Sequence, residues 1–510
     1  MVGITAFLAG GVLMALELLG SRLLAPHMGS SIFVWGSLIG VVLAALSAGY
    51  SLGGVAADRW PHRAAPALLL VAAGGWVLLL AVAADDGVAA LAARIPGPRL
   101  GPLVAAAALF FVPGVLLGCL SPWLVRLAEP APGRLGRVAG RLSALSTAGS
   151  IAGTLVTAFW LIPWLPTGTV LRALAGLLGV AAVLLAGWRP WPVTVLAAVL
   201  VGASLAPAAG PPAATTPDGA RIVYQRNTLY HHLRVEDRGD SRFLRFDDSW
   251  QSGMYLRDPV AARFEYTDVM QVGWALRPDA RRALLIGLGG GSIPKRVLAS
   301  YPEVTLDVVE LDPEVVEVAR RFFALPDDPR LHLYVEDGRR YLQRTPHRYD
   351  IVLLDAYFSD AIPFHLTTVE FLRELRARLE PEGVVVANVI GALEGPRSRL
   401  LRAFYRTYRQ VFPEVHLLQV LPEDPEALQN IILVARAGGE PLTAGQVAEH
   451  IRAWTRQHPE LAALAAAAGR VYDRPVDVAG VPVLRDAYAP VDALLHFGGE
   501  EIEIPGEEPR

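Results

Sequence analysis

The chain has 510 residues, 53% of them hydrophobic and 19% charged, with a formal net charge of -3. So apolar a composition excludes one ordinary soluble domain, and a near-neutral charge with no basic stripe excludes a nucleic-acid partner. A single cysteine, Cys119, excludes an internal disulfide and any metal site built on cysteines, and no metal is expected. From Met1 to about Ala209 the chain is a succession of long apolar segments, and a helix needs roughly 20 such residues to cross a bilayer. Spans are predicted at Ile4–Ala25, Ile32–Ala56, Ala65–Ala84, Pro102–Arg126, Leu142–Leu165, Thr169–Trp188 and Pro192–Ala206, the last of them short. The first lacks a basic leading region and is too long for a secretory signal, so it reads as a retained span. Gly36, Gly40, Ser47, Gly53, Gly149 and Gly153 suit close helix packing in lipid. Trp160, Trp164, Trp188 and Trp191 fall near span ends, where an aromatic belt forms. Residues 1–209 are thus expected to be a transmembrane bundle of about seven spans, with the lipid bilayer as its partner.

Residues 210–219 (GPPAATTPDG) read as a linker, and the texture then becomes that of a soluble α/β protein. Arg221–Tyr224, His231–Glu236 and Arg242–Phe246 predict a small antiparallel sheet, assigned to residues 220–275. Strand patterns at Ala283–Gly287, Thr305–Asp312, Leu331–Glu336, Tyr349–Asp355 and Gly383–Ile390 then alternate with helical ones at Ile293–Ser300, Pro313–Phe323, Thr368–Leu379 and Arg397–Val411. Such alternation predicts a doubly wound, Rossmann-like sheet of methyltransferase type over 276–436, closed by an antiparallel pair, Val415–Leu421 and Asn430–Arg436. Residues 437–510 are expected to be a helical extension and tail.

The densest chemical signal is Gly287-x-Gly289-Gly290-Gly291-Ser292, between the first strand and the first helix of that sheet. Glycines there let a ligand approach the amides at a helix start. The pattern is not a full GxGxxG, so a dinucleotide and a nucleoside without pyrophosphate fit equally. Glu310 lies about 20 residues past the loop, where a carboxylate grips ribose hydroxyls. Asp337, at the end of the third strand, is offered to an exocyclic amine such as adenine's, and the fourth strand ends in two more acids, Asp355 and Asp360. Asp312, followed by Pro313 and Glu314, reads as a helix N-cap instead.

These residues resemble the spermidine synthase (polyamine aminopropyltransferase) family. The resemblance lies in Ile286–Ser292 (IGLGGGS), Val309–Asp312 (VELD), Glu336–Gly338 (EDG) and Asp355–Phe371. Upstream, Leu229–Val235 (LYHHLRV) resembles the family's L-Y-Q-x-I-x-V, and Leu244–Gln251 (LRFDDSWQ) its L-x-L-D-G-x-x-Q. The bundle, with Glu17, Arg22 and Gly54–Arg59, and the ending Leu484–Leu495 resemble the bacterial membrane-bound type, in which a transporter-like bundle is fused to such a domain. The resemblance implies transfer of an aminopropyl group from decarboxylated S-adenosylmethionine to a diamine such as putrescine, with methylthioadenosine as product. It also implies a homodimer through the soluble domain. Gly287, Gly289, Gly290, Gly291, Gln251, Glu310, Asp337 and Gly338 would hold the co-substrate, with Glu310 on the ribose and Asp337 on the adenine amine. Asp360 would be the base and Asp355 a second amine contact, while Tyr230, His231, Tyr266 and Asp268 would line the amine side.

Four departures touch that amine side. Gly290 stands where the family carries an aspartate, and four residues separate Asp355 from Asp360 where the family has two. His231 replaces a glutamine, and Thr267 with Asp268 replaces a His/Glu pair. Two other readings therefore remain open: an S-adenosylmethionine-dependent methyltransferase, and a non-catalytic nucleoside- or polyamine-sensing domain. The soluble half is expected in the cytosol of a bacterial inner-membrane protein, where the nucleoside is made. With seven spans, however, the arginine bias of the loops (Arg59, Arg63, Arg126, Arg134) places it on the other side.

Overall fold

The computed structural model describes residues 1–28, 32–95, 99–128, 134–187, 191–205, 215–216, 219–228, 230–247, 249–357, 362–421 and 424–496. The chain forms two compact units, Met1–Ala213 with Arg226–His232, and Ala214–Gln225 with Leu233–Arg510.

The first unit is helical. Helices α1 (Val2–Met28), α2 (Ile32–Arg59) and α3 (Ala64–Arg94) are followed by a broken rod of α4 (Leu100–Ala106), α5 (Val112–Gly118) and α6 (Leu120–Leu127). Then come α7 (Leu135–Val156), the single turn α8 (Ile162–Trp164), α9 (Thr167–Ala186) and α10 (Trp191–Ser204). Two widened π-helical turns, Ala107–Phe111 and Thr157–Leu161, lead into Pro113 and Pro163. Such turns loosen the backbone ladder, and the Trp76 indole N–H donates to the Leu109 carbonyl at 2.9 Å in the first of them.

Helices α1 and α7 meet backbone to backbone, since a Cβ on Gly149 would overlap the Phe7 carbonyl and one on Gly153 the Gly11 carbonyl. Gly53 packs likewise on Cys119, whereas Gly36 and Gly40 face open space and make no such contact. Glu17 is half-buried on α1, and Trp160, Trp164 and Trp191 are exposed. Among the described residues six helices are long and apolar enough to cross a membrane, not the seven expected. The seventh, α10, has 14 residues and is about 21 Å long, short of a hydrocarbon core of about 30 Å.

The second unit opens with strands β1 (Arg221–Asn227), β2 (His232–Arg238), β3 (Ser241–Phe246) and β4 (Ser249–Tyr255), ordered β1-β2-β3-β4 and antiparallel at β2–β3 and β3–β4. This corrects the three-strand expectation, which missed β4. The small helices α11 (Tyr266–Val269) and α12 (Val272–Leu276) lead into the main sheet.

Its strands are β5 (Arg282–Ile286), β6 (Thr305–Glu310), β7 (Leu331–Val335), β8 (Tyr349–Leu354), β9 (Leu379–Gly391), β10 (Glu414–Gln419) and β11 (Gln429–Arg436). Helices α13 (Ser292–Ser300), α14 (Pro313–Phe322), α15 (Gly338–Arg344), α16 (Val369–Arg376) and α17 (Arg399–Tyr408) connect them, and α18 (Ala444–Thr455), α19 (Ala462–Ala467) and α20 (Val491–His496) follow. The order is β10-β11-β9-β8-β5-β6-β7, with β9, β8, β5, β6 and β7 parallel and β11 antiparallel to both β9 and β10. The near-continuous apolar runs follow from burial on both faces. Leu285, Val308, Val386 and Ile432 join one core, while Leu284, Val309, Val385 and Leu433 join the other. Strand order reverses between β5 and β8, which makes the crevice at their carboxyl ends the topological switch point of a Rossmann-like sheet.

Candidate active site

The glycine loop leaves β5 at that switch point. Gly287, Gly289 and Gly291 have φ of 97°, 52° and 73°, a region costly for any residue with a Cβ, and Gly291 caps α13. Gly287 is also the closest approach of two strands, since the Asp355 N–H donates to the Ile286 carbonyl at 2.9 Å and a Cβ on Gly287 would overlap the Asp355 carbonyl. At Gly290 a Cβ would stand 2.8 Å from both the Phe323 ring and the Ser252 hydroxyl oxygen. Phe323 is held from behind by Lys295, whose buried ammonium, pushed down to about 8 by desolvation, donates to its carbonyl at 2.8 Å. The space a loop aspartate would use is therefore already packed.

Glu310 ends β6. Its carboxylate accepts from the Leu288 N–H at 3.0 Å and the Asp312 N–H at 2.9 Å, which ties β6 to the loop. Burial raises its pKa against the pull of these amides. Asp312 is the N-cap of α14 as expected, accepting from the Glu314 N–H at 2.9 Å.

Asp337 caps α15, a helix the sequence reading missed. It accepts from the Arg340 N–H at 3.0 Å and pairs with His365 Nε2 at 2.8 Å, and that pairing holds its carboxyl below the usual range. Gly338 begins α15 with no room for a side chain beyond 2.5 Å from Ile286.

Asp355 ends β8. One oxygen accepts from the Tyr266 hydroxyl at 3.1 Å and the other from the Asn388 amide at 2.9 Å, and burial raises its pKa. Tyr266 is in turn pushed well up by its own burial and by Asp355. Asn388 on β9 was not singled out by sequence reasoning; the available signal was one polar residue inside the run Val384–Ile390. His365 was missed in the same way.

Asp268 is buried in an ion pair with Arg296 of α13 at 3.0 Å, which makes it a brace between α11 and α13. Tyr230 and His231 fall in the first compact unit, where burial and the charge of Arg22 push His231 down to about 3 and keep it neutral. Gln251 lies on β4, which leans on the loop through a 3.2 Å contact of Ser252 with Ser292. Asp360 lies outside the described residues.

Residues 263–440 match the family described as a spermine/spermidine synthase domain. Among curated proteins, the polyamine aminopropyltransferase of Vibrio vulnificus is 35% identical over 211 residues, covering 40% of this chain and 69% of that one. The polyamine aminopropyltransferase of Neisseria meningitidis serogroup A is 30% identical over 177 residues, covering 33% and 67%. Among solved structures, the spermidine synthase of Thermotoga maritima is 22% identical with a TM-score of 0.39, covering 48% of this chain and 84% of that one. With a Rossmann-like sheet that carries its acids at the carboxyl ends of its parallel strands, this chain belongs to the spermine/spermidine synthase family of transferases.

Proposed function

We propose that the second unit transfers an aminopropyl group from decarboxylated S-adenosylmethionine to a diamine such as putrescine, while the apolar bundle holds it in a membrane. The observation that carries the reading is Glu310 fastened to the glycine loop through Leu288, with Asp355 on the adjoining strand. A carboxylate has about four acceptor sites, so Glu310 keeps capacity for two ribose hydroxyls after receiving backbone amides. Asp337 takes the adenine amine beside His365, and Gly287–Gly291 admit the thioether side of the nucleoside. Gln251 flanks the loop.

The attacking amine displaces the thioether. Its nitrogen lone pair forms the new C–N bond, the C–S bond breaks, and its electron pair neutralises the sulfonium to give methylthioadenosine. The proton lost by the amine passes to Asp360, and Asp355 holds the amine in line. Formation of methylthioadenosine together with an aminopropylated amine by the purified full chain is the test. Glu310→Ala is expected to weaken methylthioadenosine binding by on the order of 1–3 kcal/mol, read by calorimetry. An unchanged affinity would remove Glu310 from the ribose.

Membrane insertion is supported by the outward apolar side chains of the bundle, among them Leu43, Leu52, Val55 and Val82, which water would not favour. The catalytic half is placed in the cytosol, where its donor is made. With six crossings the arginine-rich loops share that side, in keeping with the positive-inside rule. With α10 as a seventh they would face away. A carboxyl-terminal green fluorescent protein fusion should fluoresce, and an alkaline phosphatase fusion should be inactive. The opposite pattern would put the catalytic half outside.

A further inference from the structure

We infer that Asn388 is a positioning residue for Asp355: it fixes the orientation in which that carboxylate meets the amine, and Asn430 fixes Asn388. The inference rests on the aminopropyl-transfer reading of the same site.

Asn388 is 4% exposed, among buried apolar neighbours on β9. A buried amide there is costly unless both of its ends are paired. Both are: its Nδ2 donates to Asp355 Oδ1 at 2.9 Å, and its Oδ1 accepts from Asn430 Nδ2 at 3.0 Å. Asn430 reaches it diagonally across the β9–β11 pair, where Asn388 stands opposite Ile432. This second bond decides which way round the amide sits. Turned over, Asn388 would set its oxygen against the Asp355 carboxylate and its NH2 against the NH2 of Asn430, an arrangement of like with like. The run is therefore directional, from Asn430 to Asn388 to Asp355, and such chains reinforce each bond in them.

Tyr266 completes the grip from the opposite side, on Asp355 Oδ2. The same stretch of β9 also holds the residues that follow Asp355. The Tyr357 hydroxyl donates to the Asn388 carbonyl at 2.9 Å and accepts from the Ile390 N–H at 3.0 Å. Burial pushes this carboxyl up, and the two neutral donors, one on each oxygen, oppose that push and fix the carboxylate's orientation. Among the described residues the ionisable groups acting on this pocket are Tyr266 and Tyr357, both of which stay protonated.

The test uses the full chain in detergent with Asn388→Leu and, as the variant that leaves Asn388 in place, Asn430→Ala. Asn388→Leu is expected to lower kcat/KM for the amine about tenfold or more and to move the acid limb of its pH profile up by about one unit. Methylthioadenosine affinity should stay within about twofold, because the nucleoside side is untouched. Asn430→Ala should shift the same limb in the same direction by less. A merely structural role would lower melting temperature and leave the limb in place, so an unmoved limb in both folded variants overturns the inference. If the wild type transfers no aminopropyl group, the functional reading fails, and the inference is judged on structure. A high-resolution structure of Asn388→Leu should show the Asp355 carboxylate rotated off Tyr266, and an unmoved carboxylate overturns it.

Discussion

Asp360→Asn is expected to lower turnover by about 10²–10⁴, the usual cost of losing a general base, while methylthioadenosine affinity stays near that of the wild type. A primary ammonium group must shed a proton before its nitrogen can attack, and its free pKa lies far above neutrality. Asparagine keeps the shape of the side chain and can still accept a hydrogen bond from the amine, yet it cannot take up the proton. Asp355 is a poor substitute, since Tyr266 and Asn388 already occupy one site on each of its oxygens. Asp360 follows it by five positions and precedes the turn Phe364–Leu366 in the sequence. Product chromatography, wild type against variant, with calorimetry of nucleoside binding alongside, reads the split. Equal turnover in the variant would clear Asp360 of the role.

Gly287→Ala should abolish measurable nucleoside binding and lower the melting temperature together. The φ of 97° alone costs an alanine about 1–3 kcal/mol, and its Cβ would overlap the Asp355 carbonyl oxygen. Relief requires β5 and β8 to part at the switch point, which moves both the loop and Asp355. Methylthioadenosine affinity should fall by well over tenfold, which corresponds to more than about 1.4 kcal/mol. Gly469→Ala, at a position where a Cβ meets open space, is the control and should bind as wild type. Wild-type affinity in Gly287→Ala would mean that the loop does not cradle the ligand.

The parallel sheet was legible because strands buried on both faces read as unbroken apolar runs, and because the loop, Asp312–Pro313 and Glu310 sit at fixed offsets from them. What escaped notice was short or non-local. Helix α15 has seven residues with only Tyr341 and Leu342 offering apolar bulk, and β4 (SWQSGMY) carries serines and a glycine that blur its alternation. The partners of the acids lie far off in sequence: His365 is 28 residues from Asp337, Arg296 is 28 from Asp268, and Asn388 is 33 from Asp355. No local pattern announces such pairs, so the ion pair of Asp268 with Arg296 was not foreseen. The seventh predicted span, α10, is apolar but only 14 residues long, a shortfall that composition does not register.

The central claim is aminopropyl transfer. Its most direct test is to supply the purified full chain with decarboxylated S-adenosylmethionine or S-adenosylmethionine, each with putrescine, and to separate the products. Methylthioadenosine and spermidine in equal amounts from the decarboxylated donor is the predicted result. S-adenosylhomocysteine with a methylated amine, or no product from either donor despite tight methylthioadenosine binding, would contradict it.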